Sequence, residues 1–237
     1  MEEDVAAAEA APTEKFLRRK LTAMRRVIAE RMTYSTQYIP QFVINVSVDG
    51  APMQALRKKL AESGAKVSPT DIIVKACAAA MRKFPDMAAV LDGDEIVLRT
   101  DFDIGIAVSL EGGLIVPVIR KADTLSLAEL AEKSRTLIEK ARAGRLLPDE
   151  YKGGVFTVSN LGMLDVERFT AIVQPGETGI LAVGKLREVP VVKDGAIVPG
   201  LRMELSLSAD HRVVDGAYGA MYLGEVKRLL EKPDELL

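Results

Sequence analysis

The chain has 237 residues, of which 48% are hydrophobic and 28% charged, the balance of a globular protein with a substantial core in one large domain or two small ones. A net charge of −2 lacks the basic excess that nucleic-acid binding requires, and no apolar run approaches the roughly 20 residues that span a bilayer. A single cysteine excludes an internal disulfide and fits a reducing compartment; with a single histidine, it also argues against a zinc site built from those ligands.

Residues 1–14 are rich in Ala and Glu and have no periodic apolar face, so they read as a flexible linker remnant. This start has neither the basic region nor the apolar core of a signal peptide, and a cytoplasmic location is expected, or the mitochondrial matrix in a eukaryote. Lys15 to Arg26 carries six Lys or Arg residues. It reads as a solvated helix start, with an arm docking on acidic groups or phosphates as the alternative. From Thr22 the spacing of Met24, Val27, Ile28, Arg31 and Met32 predicts a helix that Pro40 ends. Gln41 to Asp49 alternates as a strand, and Ala51 to Ser63 is helical on Met53, Leu56 and Leu60. Ser68 and Pro69 open a helix, apolar nearly all round, that is expected to reach Phe84 at the centre of the fold. Cys77 inside it reads as a small core residue.

Ala89 to Leu98 predicts a hairpin turning on Asp-Gly-Asp. Asp103 to Ser109 and Leu114 to Ile119 predict two strands, the second at an edge or bulged because of Pro117. Ser126 and Glu129 begin an amphipathic helix that Gly144 caps. Val155 to Ser159 is a strand ending in Asn160-Leu-Gly162, and Gly179 to Leu186 is a turn-and-strand unit. Val189 to Gly200 predicts a hairpin with Lys-Asp-Gly at its tip. Met203 to Asp210 is an alternating strand, followed by a polar break and a last helix from Tyr218 to Leu230. Hairpins mixed with long helices give an α+β domain, a mixed sheet covered by helices.

The break after that strand holds His211, the only histidine, and histidine is the usual acid–base group near neutral pH. Either it is a base at a strand–helix junction or it satisfies a local hydrogen bond. Asp215 reads as the N-cap of the last helix or the partner of an arginine, which fixes the loop carrying His211. Ser159 and Asn160, at a strand end before glycine, read either as turn residues or as donors to an oxyanion. There is no G-x-S-x-G elbow, and neither phosphate-binding loop fingerprint occurs.

Ser208-Ala-Asp-His211-Arg-Val-Val-Asp215-Gly-Ala217 resembles the D-H-R-x-x-D-G hallmark of the acyltransferase core of 2-oxo acid dehydrogenase complexes. Gly153-Gly-Val-Phe-Thr-Val-Ser-Asn-Leu-Gly162 is similar to that family's second motif. Gly113-Leu-Ile-Val-Pro117 matches a third, and Met24 to Met32 is similar to its first core helix. The resemblance covers about Phe16 to Leu237, and residues 15–237 are expected to form the catalytic domain. It implies a two-layer chloramphenicol acetyltransferase-like fold working as a homotrimer, with each site between two subunits.

By this resemblance His211 is the base, Ser159 holds the oxyanion, and Asp215 organises the loop. The coenzyme A site would include Arg57, Ser68, Ser109, Ser159, Asn160 and Gly184. Ser-Asn-Leu-Gly-Met163 and the closing Leu-Glu-Lys-Pro look like the pyruvate-complex branch, which implies acetyl as the acyl group. Departures from the family pattern are Gln41, Gln174-Pro-Gly176 and Asp165. The implied reaction moves acetyl between dihydrolipoamide and coenzyme A, without a metal, the lipoyl group being carried on a separate domain. Implied partners are the lipoyl domain and the decarboxylase and dihydrolipoamide dehydrogenase subunits. Alternatives are a branched-chain or succinyl group, a mainly structural core, and a Ser159–His211–Asp215 hydrolase. Leu229, Leu230, Leu236 and Leu237 are candidate contacts between trimers in a cage, or core residues of the subunit.

Overall fold

The computed structural model describes residues 18–237; the expectations for residues 1–14 and for Lys15 to Leu17 lie outside them. The element that orders the rest is one strand. Val189 to Gly200 and Met203 to Asp210, expected as separate units, belong to β10 (Arg187–Lys193) and a single 15-residue strand, β11 (Ala196–Asp210). β11 pairs along its first half with β10 and along its second half with β1 (Gln41–Asp49) and β9 (Gly179–Val183), all antiparallel. β9 continues in parallel to β8 (Phe156–Asn160), and β8 in parallel to β4 (Ile104–Ile106). The short β7 (Val118–Ile119) closes that edge.

The sheet is therefore mixed, in the order β1-β11-β9-β8-β4-β7 with β10 beside β11. Leu205, Leu207, Ala209, Leu181, Val183, Phe156 and Val158 of its strands join the main core. Facing the same core are α3 (Pro69–Met81), α4 (Leu127–Arg142) and α5 (Gly216–Glu231), with α2 (Ala51–Glu62) beside α5. The α+β, helix-covered reading holds.

Local chemistry explains the boundaries. Ser68 and Asp71 form a reciprocal capping box on α3, as Ser126 and Glu129 do on α4. α3 stops at Met81 and not at Phe84, because Pro85 disfavours helical backbone at the residue before it; Phe84 sits at φ −128° and ψ 67°. Ile72, Ile73, Val74, Ala76, Cys77, Ala78, Ala80 and Met81 are fully buried, so this helix is central. Burial pushes the Cys77 thiol up to about 12, which makes it an inert core residue.

The two strands expected at Asp103 to Ser109 and Leu114 to Ile119 are each divided. β4 and β7 stay in the main sheet, while β5 (Val108–Leu110) and β6 (Gly113–Ile115) leave it as a separate pair. The division falls at Pro117, which accepts from Ile106 N–H at 2.9 Å but has no N–H to extend the ladder. The expected hairpin is β2 (Ala89–Asp92) with β3 (Glu95–Leu98). Asp165 adopts a left-handed φ of 64°, the conformation that suits glycine; its carboxylate pairs with Lys185, which lowers its pKa.

At the C-terminus α5 begins at Gly216, two residues before the expected Tyr218. Leu229, Leu230 and Leu236 are buried within the protomer and only Leu237 is exposed. Of the two readings offered for these four leucines, the core one holds for three, which complete the subunit's own core.

Gly184 follows β9, where a Cβ would stand 1.9 Å from the backbone oxygen of Glu167 and 2.7 Å from its carbonyl carbon. The backbone must move to admit a methyl group, so Gly184→Ala is expected to destabilise the protein by about 1–3 kcal/mol. Urea unfolding of the two proteins measures this, and an unchanged midpoint would contradict the packing.

Candidate functional site

The turn that bears His211 is fixed on all sides. β11 ends at Asp210, whose carboxylate is buried and accepts from three donor groups of Arg212: its backbone N–H at 2.9 Å, Nε at 3.0 and 3.3 Å to the two oxygens, and Nη2 at 2.8 Å. This charge-assisted fork raises the Arg212 pKa further. The Asp210 carbonyl accepts from Val213 and Val214 N–H, both at 3.1 Å, and those two valines are buried. His211 itself donates its backbone N–H to Pro40 O at 2.8 Å and leaves its side chain exposed.

The imidazole meets the Phe42 ring edge-on, with centroids 4.8 Å apart. Phe42 in turn lies against α5 where Gly219 has no side chain; a Cβ there would be 3.1 Å from the ring. Asp215 is the N-cap of α5, its Oδ1 accepting from Tyr218 N–H at 2.8 Å. The expected N-cap position is observed. The arginine of this turn pairs with Asp210 and not with Asp215.

Ser159 lies on β8, on the sheet face away from the core helices, and is 9% exposed. It opens into a cleft of about 730 Å³ whose lining includes Met24, Ile28 and Arg31 of α1 (Ala23–Tyr38) together with Thr157, Ser159 and Glu177. The cleft sits under a helix with little anchorage. Only Ser35 of α1 is buried, and Met24 and Val27, whose spacing predicts the helix, are 40% and 53% exposed. Ser206 and Ser208 alternate with leucines along β11, yet both are buried, so this polar face is covered and not solvated.

Within one protomer His211 and Ser159 do not meet. Asp210 N–H reaches Thr178 O, just before β9, whereas Ser159 pairs with Ala182 near the other end of β9. Four to five residues along the strands and two strand spacings across give a separation of roughly 15–20 Å. Asp215 caps its own helix, so no Ser159–His211–Asp215 triad exists in the protomer, which removes the hydrolase alternative at that level.

The residues expected at coenzyme A gather only in part. Asn160 donates Nδ2–H to Thr70 Oγ1 at 3.0 Å, in the first turn of α3, and accepts from Gly162 N–H at 2.9 Å. Ser68 caps the same helix end. Arg57 Nε–H donates to Val67 O at 3.2 Å, one residue before Ser68, and its terminal nitrogens have no partner among the described residues. Gly184 stands near this group, since a Cβ on Gly162 would be 2.9 Å from its carbonyl oxygen. Ser109 is exposed on the separate β5–β6 pair, and no hydrogen bond joins it to the other five among the described residues.

The sequence reading missed Asp210, Arg212, Phe42 and the pair Thr157–Glu177. The Asp-x-Arg spacing around His211 was available as a signal for the first two. Nothing local points to Glu177, whose partner lies 20 residues away: Thr157 Oγ1–H donates to Glu177 Oε2 at 2.6 Å. Enclosure of this carboxyl pushes its pKa up to about 7; the Thr157 bond and the more distant Arg31 charge only partly oppose that.

The family described as 2-oxoacid dehydrogenases acyltransferase (catalytic domain) matches residues 13–237. The chain belongs to that family. It is 42% identical over 218 residues to the dihydrolipoyllysine-residue acetyltransferase component of the pyruvate dehydrogenase complex of Zymomonas mobilis, covering 90% of this chain and 50% of that one. The mitochondrial counterpart from Schizosaccharomyces pombe is 40% identical, covering 98% of this chain and 49% of that one. The chain thus spans about half the length of these curated relatives. The crystallographic and enzymatic study of a serine, a histidine and an asparagine in Azotobacter vinelandii dihydrolipoamide acetyltransferase gives a structure superposing with a TM-score of 0.89. It is 31% identical, over 97% of this chain and 99% of that one. Chloramphenicol acetyltransferase, 17% identical with a TM-score of 0.56 over 85% of this chain and 94% of that one, shares the fold.

The Glu177 shift has a sign that stability can test. A carboxyl whose folded pKa stands above its unfolded value favours the native state below about pH 4.5, and this contribution is lost as pH rises through about 7. Glu177→Gln keeps the acceptor for Thr157 without the charge. Its melting temperature relative to the parent is expected to rise between pH 5 and pH 8.5. A difference that does not vary with pH would contradict the shift.

Proposed function

We propose that this chain transfers an acyl group, acetyl in the first place, between the thiol of a dihydrolipoyl arm and the thiol of coenzyme A. His211 takes the proton of the attacking thiol, whose thiolate is the competent nucleophile. The thiolate attacks the thioester carbonyl directly. The tetrahedral oxyanion accepts a hydrogen bond from Ser159 Oγ–H, a donor held in place by its strand. Collapse expels the second thiolate, which recovers the proton from His211. No acyl-enzyme forms.

The observation that carries this reading is the separation itself. A histidine on a fully clamped turn and a serine in a cleft, some 15–20 Å apart by strand register, make one site when a second copy brings its serine to the first copy's histidine. The intervals support the assignment: the serine, histidine and asparagine studied in the Azotobacter enzyme are 52 and 4 residues apart, as are Ser159, His211 and Asp215. Asp215 stands where that enzyme has asparagine. Both residue types cap helices, which fits an organiser and not a proton acceptor.

Coenzyme A would lie near Asn160 and Gly184, with the uncommitted end of Arg57 and the capped start of α3 beside Ser68 suited to its phosphates; Ser109 would contribute from the β5–β6 pair. The lipoyl group would arrive on a separate domain. A homotrimer is the expected working unit, and the exposed apolar residues of α1, with Tyr34 and Tyr38 52% and 60% exposed, suit burial between copies. One structure with a TM-score of 0.89 is the cubic core of a pyruvate dehydrogenase multienzyme complex, so a cage receiving decarboxylase and dihydrolipoamide dehydrogenase subunits is the matching assembly. Among the described residues no helix is long and apolar enough to cross a membrane.

A thioester-exchange assay with free dihydrolipoamide and a panel of acyl-coenzyme A donors tests the function, with acetyl expected to be preferred. His211→Ala is expected to nearly abolish exchange and Ser159→Ala to slow it roughly 10²–10³-fold. Asp215→Asn should stay close to the parent, whereas Asp215→Ala should lose about 1 kcal/mol of stability with its cap. His211→Ala as active as the parent would overturn the assignment.

A further inference from the structure

Glu177 and its neighbour Thr178 together reach the serine strand and the end of β11. Its carboxyl holds Thr157, which lies on β8 two residues before Ser159 and on the same face. The next residue, Thr178, donates its N–H to Val155 O at 3.1 Å, and its hydroxyl bonds to Ala89 O. The Thr178 carbonyl accepts from Asp210 N–H at 2.9 Å, directly before His211. Two consecutive residues therefore tie the serine strand to the histidine turn.

The surroundings are shaped for this contact. Gly154 leaves room at one carboxyl oxygen, where a Cβ would be 3.4 Å from Oε1. Gly105 leaves room at the partner, where a Cβ would be 3.0 Å from Thr157 Oγ1. The loop that delivers Glu177 turns at Gly176, with φ at +90°, and closes by Glu177 N–H donating to Gln174 O at 3.0 Å. Arg31 of α1 donates to Pro175 O at 3.3 Å and so spends part of its fork on backbone. The ionisable groups sharing the cleft are Arg31 from α1, Arg99 after β3, and Tyr151 and Lys152 before β8; the pairings of the described residues include no salt bridge to Glu177.

We propose that Glu177 is a positioning residue that, in its uncharged form, locks the Ser159 strand to the turn carrying His211. Ionisation places an unpaired charge in an enclosed cleft and loosens the loop that joins the two. This deepens the acyl-transfer reading and rests on it. No bond to substrate is involved, so the effect falls on kcat through the placement of Ser159 and His211, with little change in KM.

Two measurements on the assembled protein separate the claims. In thioester exchange with acetyl-coenzyme A and dihydrolipoamide, Glu177→Gln is expected to match the parent near pH 6 and to exceed it severalfold in kcat by pH 8.5, at unchanged KM. Thr157→Val, which removes the bond and keeps the shape, is expected to lower kcat at every pH. A Gln-to-parent ratio constant across this range, or a change confined to KM, overturns the proposal. An infrared difference spectrum of parent minus Glu177→Gln at pH 6 is expected to show a protonated carboxyl band that disappears as the pH rises through neutrality. Its absence also overturns the proposal, even in a protein without exchange activity; absence of exchange in the parent overturns the acyl-transfer reading instead.

Discussion

The structure depends on how β11 ends. Asp210 closes the longest strand with a buried carboxylate, which the next residue but one satisfies through a bidentate guanidinium and a backbone N–H. A buried carboxylate without such partners would cost several kcal/mol. Here its satisfaction turns the chain sharply, aims Val213 and Val214 into the core and leaves His211 pointing outward. The turn is held from below as well, by Pro40 O on the His211 backbone and Thr178 O on the Asp210 backbone. An imidazole on this mounting is preorganised before any ligand arrives, which is what a base needs if its position is not to be reset in each turnover.

The same strand sets the spacing of the chemistry. Because β11 runs antiparallel to β9 and β9 parallel to β8, its end lies at the opposite end of β9 from Ser159. The mixed sheet therefore places His211 and Ser159 towards opposite ends of β9. The poorly anchored α1 and the cleft beneath it, with apolar walls and a polar floor, suit a surface that is finished by contact with another copy.

Legibility in the sequence followed locality. The caps of α3, α4 and α5 were readable because each depends on residues three apart, Ser68 with Asp71, Ser126 with Glu129 and Asp215 with Tyr218. Cys77 was readable because its helix is apolar nearly all round. The continuity of β11 was not, since Pro199 and Gly200 inside it look like a break and only pairing with β10 keeps them in register. The alternation along β11 does not tell that Ser206 and Ser208 are both buried, since burial of that face is a tertiary property. Thr157–Glu177 and Phe42–Gly219 join distant stretches of chain, and no local pattern encodes them. Motif resemblance pointed to His211, Ser159 and Asp215 and to a site between two subunits; strand register then gives how far apart the first two stand in the protomer.

That separation is the central claim, and complementation tests it most directly. His211→Ala and Ser159→Ala protomers are co-assembled in equal amounts and assayed for acetyl exchange. If each site takes its histidine from one copy and its serine from the next, random cyclic assembly restores about one quarter of the parental activity from two impaired proteins. Activity no greater than the mean of the two separate variants would contradict a shared site and place the chemistry within a single protomer.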